Sequence, residues 1–309
     1  MIPYLLYKLK NHRAVHFESR KISPLLRSRG NICDKNYQEF FFDFSDPTTH
    51  LGDRLFFIPL IDSLIAAGFS VCINANDMIT DVLAESILGL SLKKTDAPSS
   101  KALTVYPAPS YLNFKRLYPK SCLVDFTDLA VLTKICEQLI LSFNKYFQLT
   151  LQNKIFSWTI NSSSTSNFLI NDRSTEYYLF SNYIDSGRFR KFFIDESKLF
   201  KQAVKLKRQG YKIIHVGSKQ DKLKDTNHYP FVDVDLRGET SIGDLIHMVK
   251  AENVIGAITY DNFLMHLFGI YGKVAYILFR GRFTLKSRQH HMLYVNNTFF
   301  KVEGRLIYL

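Results

Sequence analysis

The stretch Asp235–Phe279 constrains this chain most, because two helical patterns and two apolar runs alternate within it. Ile242, Leu245, Ile246 and Val249 recur at helical spacing, whereas Val254 to Ile258 is a short continuous apolar run of the buried-strand type. Phe263, Leu264, Leu267 and Phe268 mark a second helix, and the run Val274 to Phe279 a second strand. Helix, strand, helix, strand is the signature of a parallel sheet covered by helices, hence an α/β fold. The polar residues outside the core pattern are Thr240, Ser241, Thr259, Asp261, Asn262 and His266. They gather at the two helix starts, where free backbone N–H groups and the helix dipole favour an anion.

Upstream, Glu39 to Phe44 reads as a strand, 45–53 as a loop, Leu55 to Ala67 as a helix ended by Gly68, Ser70 to Asn74 as a strand and Met78 to Leu90 as a helix. This β–loop–α–β opening is that of a nucleotide-binding fold. Residues 92–120 read as irregular, their prolines marking turns. Ser121 to Phe126 follows as a strand and Asp128 to Phe147 as a long helix. The polar tract Asn161–Asn167, with its flanks, is the linker candidate. Beyond it, Tyr177 to Tyr183, Lys212 to Gly217 and Pro230 to Leu236 read as strands, a helix begins at Asp195 and Glu196, and Thr298 to Leu309 reads as a hairpin. The expected organisation is a basic extension over 1–38, one Rossmann-like domain over 39–170 and a second over 171–309.

With 309 residues, two domains fit comfortably. Cys33, Cys72, Cys122 and Cys136 have no metal-ligand or redox spacing, so reduced thiols of a cytoplasmic protein are expected. No apolar run approaches the roughly 20 residues that span a bilayer. Of the formal charge of +12, much sits in residues 1–35, where Lys8, Lys10, Arg13, Arg20, Lys21, Arg27, Arg29 and Lys35 face only Glu18 and Asp34. With Tyr4, Leu5, Leu6, Leu9, Leu25 and Leu26 interleaved, this segment fits the anionic inner face of a membrane, or an extension packed on its own domain. Nucleic acid is the least favoured partner, since no recognition motif accompanies the charge.

Asp235-Leu-Arg-Gly-Glu-Thr-Ser-Ile-Gly-Asp-Leu245 followed by Asp261-Asn-Phe-Leu-Met-His-Leu267 resembles glycosyltransferase family 9, the heptosyltransferases of bacterial lipopolysaccharide synthesis. Asn262 and Phe263 replace that family's Thr-Gly pair. Gly52-Asp53 with Pro59-Leu60 resembles its acceptor-side element. The resemblance implies the GT-B architecture, two Rossmann-like domains facing across a cleft, and no metal or other cofactor. It implies an inverting transfer of heptose or another hexose-type sugar from a nucleotide-sugar donor to a glycan or glycolipid acceptor such as lipopolysaccharide core. Asp53 would be the general base, although a helix N-cap is the commonest job for an Asp so placed. The donor would meet Ser186, Arg190 and Lys191 of one loop, Asp221 on the ribose, Thr240 and Ser241, and Asp261, Asn262, Phe263, Leu264 and His266. The other readings are a capsule or surface-polysaccharide transferase of the same fold, or a non-catalytic glycan- or nucleic-acid-binding protein. His290-His291 reads as a surface pair rather than a metal site.

Overall fold

The computed structural model describes residues 38–44, 51–55, 57–99, 102–107, 122–124, 140, 143–144, 149–152, 174–182, 196–260, 262–278 and 306–309. The chain divides into two compact units, Met1–Asp81 with Leu92–Asn153, and Val82–Ser91 with Lys154–Leu309.

The sheet of the first part contains β1 (Glu39–Phe42), β2 (Ser70–Asn74), β3 (Lys93–Thr95), β4 (Ala102–Pro107) and β5 (Cys122–Val124) in the order β3-β2-β1-β4-β5. Every pairing is parallel, with Glu39 opposite both Ser70 and Ala102. β1 is apolar along its length because it is central and covered on both faces. Its phenylalanines pack edge-on, Phe40 against Phe69 at 5.2 Å. Phe44, just beyond β1, meets Phe57 in the same way at 5.4 Å. The irregular reading of 92–120 is corrected here, since β3 and β4 lie within it. Leu103 and Val105 of β4 are buried against the core.

The single helix expected over Leu55–Ala67 is two: α1 (Leu51–Leu55) and α2 (Ile58–Ala66). Pro59 stands at the start of α2, where its missing N–H costs nothing; continued into α1, it would break the ladder. Gly68, at φ +87°, turns the chain out of α2 towards β2. Next comes α3 (Met78–Leu88).

The second sheet runs β11-β10-β9-β6-β7-β8, from β6 (Tyr177–Phe180), β7 (Lys212–His215), β8 (Val234–Asp235), β9 (Val254–Tyr260), β10 (Val274–Leu278) and β11 (Leu306–Tyr308). It too is parallel throughout. Between its strands lie α4 (Ser197–Arg208), α5 (Lys219–Lys224), α6 (Ile242–Lys250) and α7 (Phe263–Ile270). The core joins Leu199, Ala203 and Leu206 of α4 to Tyr178, Phe180, Ile213, Phe231, Ile258 and Tyr260. Gly256 makes room for Tyr178: a Cβ there would lie 2.3 Å from the ring.

β11 corrects the hairpin reading, because Leu306–Tyr308 joins β10 in parallel as an edge strand. The strand read over Pro230–Leu236 shrinks to β8. The tract 161–167 and most of the helix read over 128–147 lie outside the described residues. Among the described residues, no helix is long and apolar enough to cross a membrane.

Candidate functional site

Counted within its own sheet, the second strand order is 6-5-4-1-2-3, the doubly wound arrangement. Its topological switch point falls between β6 and β9, and in such sheets ligands bind beyond the strands' carboxyl ends at that point. The chain leaves β9 directly into α7, so the start of α7 lies at the switch point. The equivalent switch in the first sheet is between β1 and β4, and α1, which carries Asp53, follows β1.

Asn262 caps α7. Its Oδ1 accepts from Leu264 N at 3.0 Å, from Met265 N at 3.5 Å and from Thr259 Oγ1 at 3.0 Å. The Leu264 N–H, one of the donors expected to face a ligand, is thus held by the cap. Phe263 is half-buried, while Leu264 and His266 are buried. Thr240 and Ser241 head α6. Ser241 Oγ accepts from Asp244 N at 3.1 Å, and Asp244 Oδ2 accepts from Ser241 N at 2.9 Å, a reciprocal capping box.

Asp221 occupies the same kind of box at α5. Its Oδ2 accepts from Ser218 N at 2.6 Å, while Ser218 Oγ accepts from Asp221 N at 3.2 Å. The residue is buried, and a Cβ on Gly217 would sit 2.9 Å from that carboxylate oxygen. Ser186, Arg190, Lys191 and Asp261 lie outside the described residues, as do His290 and His291. Asp53 is in α1. Among the described residues, no group of three or more His, Cys, Asp or Glu side chains could hold a metal ion.

The structure adds a polar network that the motif reading passed over. Arg237, the variable residue of Asp-Leu-Arg-Gly, is buried and forks Asp235 through Nε at 3.0 Å and Nη2 at 2.8 Å. Its Nη1 donates to Asp225 O at 2.7 Å. The bond from Arg237 holds the Asp235 carboxyl down at about 2. Asp225 Oδ2 accepts from Asn182 Nδ2 and from Tyr229 Oη, each at 2.8 Å. His215 Nε2 lies 2.9 Å from Asn182 Oδ1. Since the Asn182 amide nitrogen donates elsewhere, its oxygen accepts and His215 carries its proton on Nε2. The network ties the carboxyl ends of β6, β7 and β8 together.

Gly238 closes this corner at φ +76°, its N–H donating to Gly217 O at 2.9 Å. A Cβ would meet Lys219 Cα at 2.9 Å, which is backbone and cannot swing aside. Gly238→Ala is therefore expected to cost about 1–3 kcal/mol from the left-handed backbone and the clash. A urea melt reads this directly, and an unchanged midpoint would show that the corner tolerates a side chain.

No protein-family model matches this chain, and no curated protein matches it. Among solved structures, a family 9 glycosyltransferase from Veillonella parvula is similar at a TM-score of 0.57 and 14% identity, over 89% of this chain and 87% of that one. An E. coli heptosyltransferase solved with ADP is similar at a TM-score of 0.50 and 11% identity, over 78% of this chain and 86% of that one. At these identities the likeness is one of fold: the chain has the α/β fold, with parallel sheets, of these glycosyltransferases.

Proposed function

We propose that this chain is an inverting glycosyltransferase that takes a sugar from a nucleotide-sugar donor and passes it to a bacterial surface glycan, as in lipopolysaccharide core assembly. The observation that carries the reading is the second sheet's switch point, with a capped helix start at the carboxyl end of β9. The fold shared with two glycosyltransferases supports it, and the neighbour solved with ADP points to a nucleotide-sugar donor.

In this reading the acceptor hydroxyl oxygen attacks the anomeric carbon as its bond to the donor diphosphate breaks. The hydroxyl proton passes to the Asp53 carboxylate, and the bonding pair leaves with the nucleoside diphosphate. Negative charge grows on the departing phosphates, where Arg190, Lys191 and the N–H groups heading α7 would stabilise it. Thr240, Ser241 and His266 would line the same end. Asp221 would hold the ribose only with the carboxylate oxygen that Ser218 N–H leaves over.

Phe263 makes the donor an open choice between heptose and another sugar. The expected result is that a panel of nucleotides and sugar nucleotides includes one that raises the melting temperature, since a ligand of the native state stabilises it by mass action. With that donor, Asp53→Asn is expected to lower turnover at least about 10²-fold while donor binding persists. Near-normal turnover would remove Asp53 from the role.

One observation favours a second reading, a non-catalytic protein of this fold: Asn262 already fills the start of α7. If neither wild type nor Phe263→Gly binds any member of the panel, that reading replaces the first.

A further inference from the structure

Helix α4, Ser-Lys-Leu-Phe-Lys-Gln-Ala-Val-Lys-Leu-Lys-Arg, contains no acidic residue. Leu199, Ala203 and Leu206 are its buried side, and Lys198, Lys201, Lys205 and Arg208 are all exposed. At about 100° per residue these four cations fall within an arc of about 80°. At about 1.5 Å per residue they extend over about 15 Å along the helix. They form one straight, solvent-facing stripe.

The acids nearest this helix are engaged elsewhere. Asp233 takes Lys207 at 2.5 Å and Lys212 at 3.1 Å, and Glu196 accepts from Tyr260 Oη at 2.7 Å. Among the described residues, no ion pair involves Lys198, Lys201, Lys205 or Arg208. Within the stripe, neighbours stand three or four apart, the spacing at which like charges destabilise a helix. Lys198 also sits in the first turn, at the positive end of the helix dipole. The fold gains nothing from this arrangement, and neutral polar side chains would serve it better.

We propose that the α4 stripe is a docking surface for an anionic lipid bilayer. A bilayer face presents charge in a plane that a straight row of cations can meet all at once, each contributing additively. Single-stranded nucleic acid would call for aromatic platforms beside the charge. The aromatic residue of α4, Phe200, is instead packed against the core. The surface is distinct from the basic segment 1–35, and the inference does not depend on the glycosyltransferase reading.

The test is sedimentation of the full chain with vesicles of phosphatidylcholine alone and with added phosphatidylglycerol. Wild type should bind the anionic vesicles, less so as salt rises. The variant carrying Lys198→Gln, Lys201→Gln, Lys205→Gln and Arg208→Gln should bind about 10²- to 10³-fold more weakly at low salt. It should melt at or above the wild-type temperature, because the repulsion is gone. A variant of equal net charge, with Lys93, Lys219, Lys222 and Lys224 changed to Gln, should lose less than about tenfold. The proposal is overturned if wild type ignores the anionic vesicles, if the stripe variant binds them as wild type does, or if both variants lose equally. A stripe variant that loses only RNA binding overturns it as well.

Discussion

Arg54→Met is expected to destabilise the chain by about 3–5 kcal/mol, the cost of breaking a buried ion pair from one side. Arg54 Nη1 donates to Asp77 Oδ1 at 2.6 Å and to Thr80 Oγ1 at 3.1 Å, and Nη2 donates to Phe44 O at 3.1 Å. The two charged side chains are only 11% and 5% exposed, so water cannot stand in for the lost partner. The guanidinium also lies over the Phe44 ring, 5.3 Å from its centroid. A native state stable by about 5–15 kcal/mol would lose a large fraction of that margin. Arg54→Lys keeps the charge but not the planar fork, and should fall between the two. Changing both partners, Arg54→Met with Asp77→Leu, should cost less than Arg54→Met alone, since no charge is then left buried. Urea melts of the four proteins give the coupling, and a single-variant loss below about 1 kcal/mol would show that the pair is solvated. The consequence reaches the proposed site: Arg54 pins α1, which carries Asp53, to the end of β1 and the start of α3.

How far the sequence could be read depends on whether a feature is local. β2 was legible to the residue, and β9 and β10 nearly so, because buried parallel strands are short apolar runs between turn signals. β4 was not, although Leu103 and Val105 alternate as a strand requires. What makes Ala102–Pro107 a strand is its pairing with β1, forty and more residues earlier in sequence by the register Glu39 to Ala102. The two capping boxes were legible and overlooked. Ser218-Lys-Gln-Asp221 and Ser241-Ile-Gly-Asp244 both carry a hydroxyl three residues ahead of an acid. That pattern would have flagged Asp221 and Ser241 as helix caps beside their reading as ligand contacts. Arg237 was beyond local reading. Asp235 stands two residues away, but the Asp225 and Asn227 carbonyls it reaches come from a separate loop. The fold class and the switch-point helices therefore follow from pattern, while the network that fixes the corner follows from tertiary packing.

His215 is expected to make the chain acid-labile through the second of these features. Burial first, and then the Arg237 guanidinium, push its pKa from 6.5 down to about 4, against the opposing pull of Asp235 and Asp225. The folded state therefore keeps the ring neutral where the unfolded chain already takes a proton. Above pH 6.5 both states are neutral and the folded state bears no penalty. As pH falls from 6.5 towards 4 the unfolded chain binds the extra proton, so stability is lost steadily. Below 4 both are protonated and the loss levels off, at about 3 kcal/mol for a shift of this size. The loss is about 2 kcal/mol at pH 5. The Asp235 carboxyl, held at about 2, adds its own loss only below 3.8, which leaves the upper window to the histidine. His215→Gln retains a donor for Asn182 Oδ1 but has no proton to bind. Melts in urea at pH 7.5 and pH 5 should show wild type losing about 2 kcal/mol more than this variant over that interval. Parallel losses in the two proteins would mean that His215 is protonated as readily in the folded chain as outside it, and that the corner joining β6, β7 and β8 admits the charge.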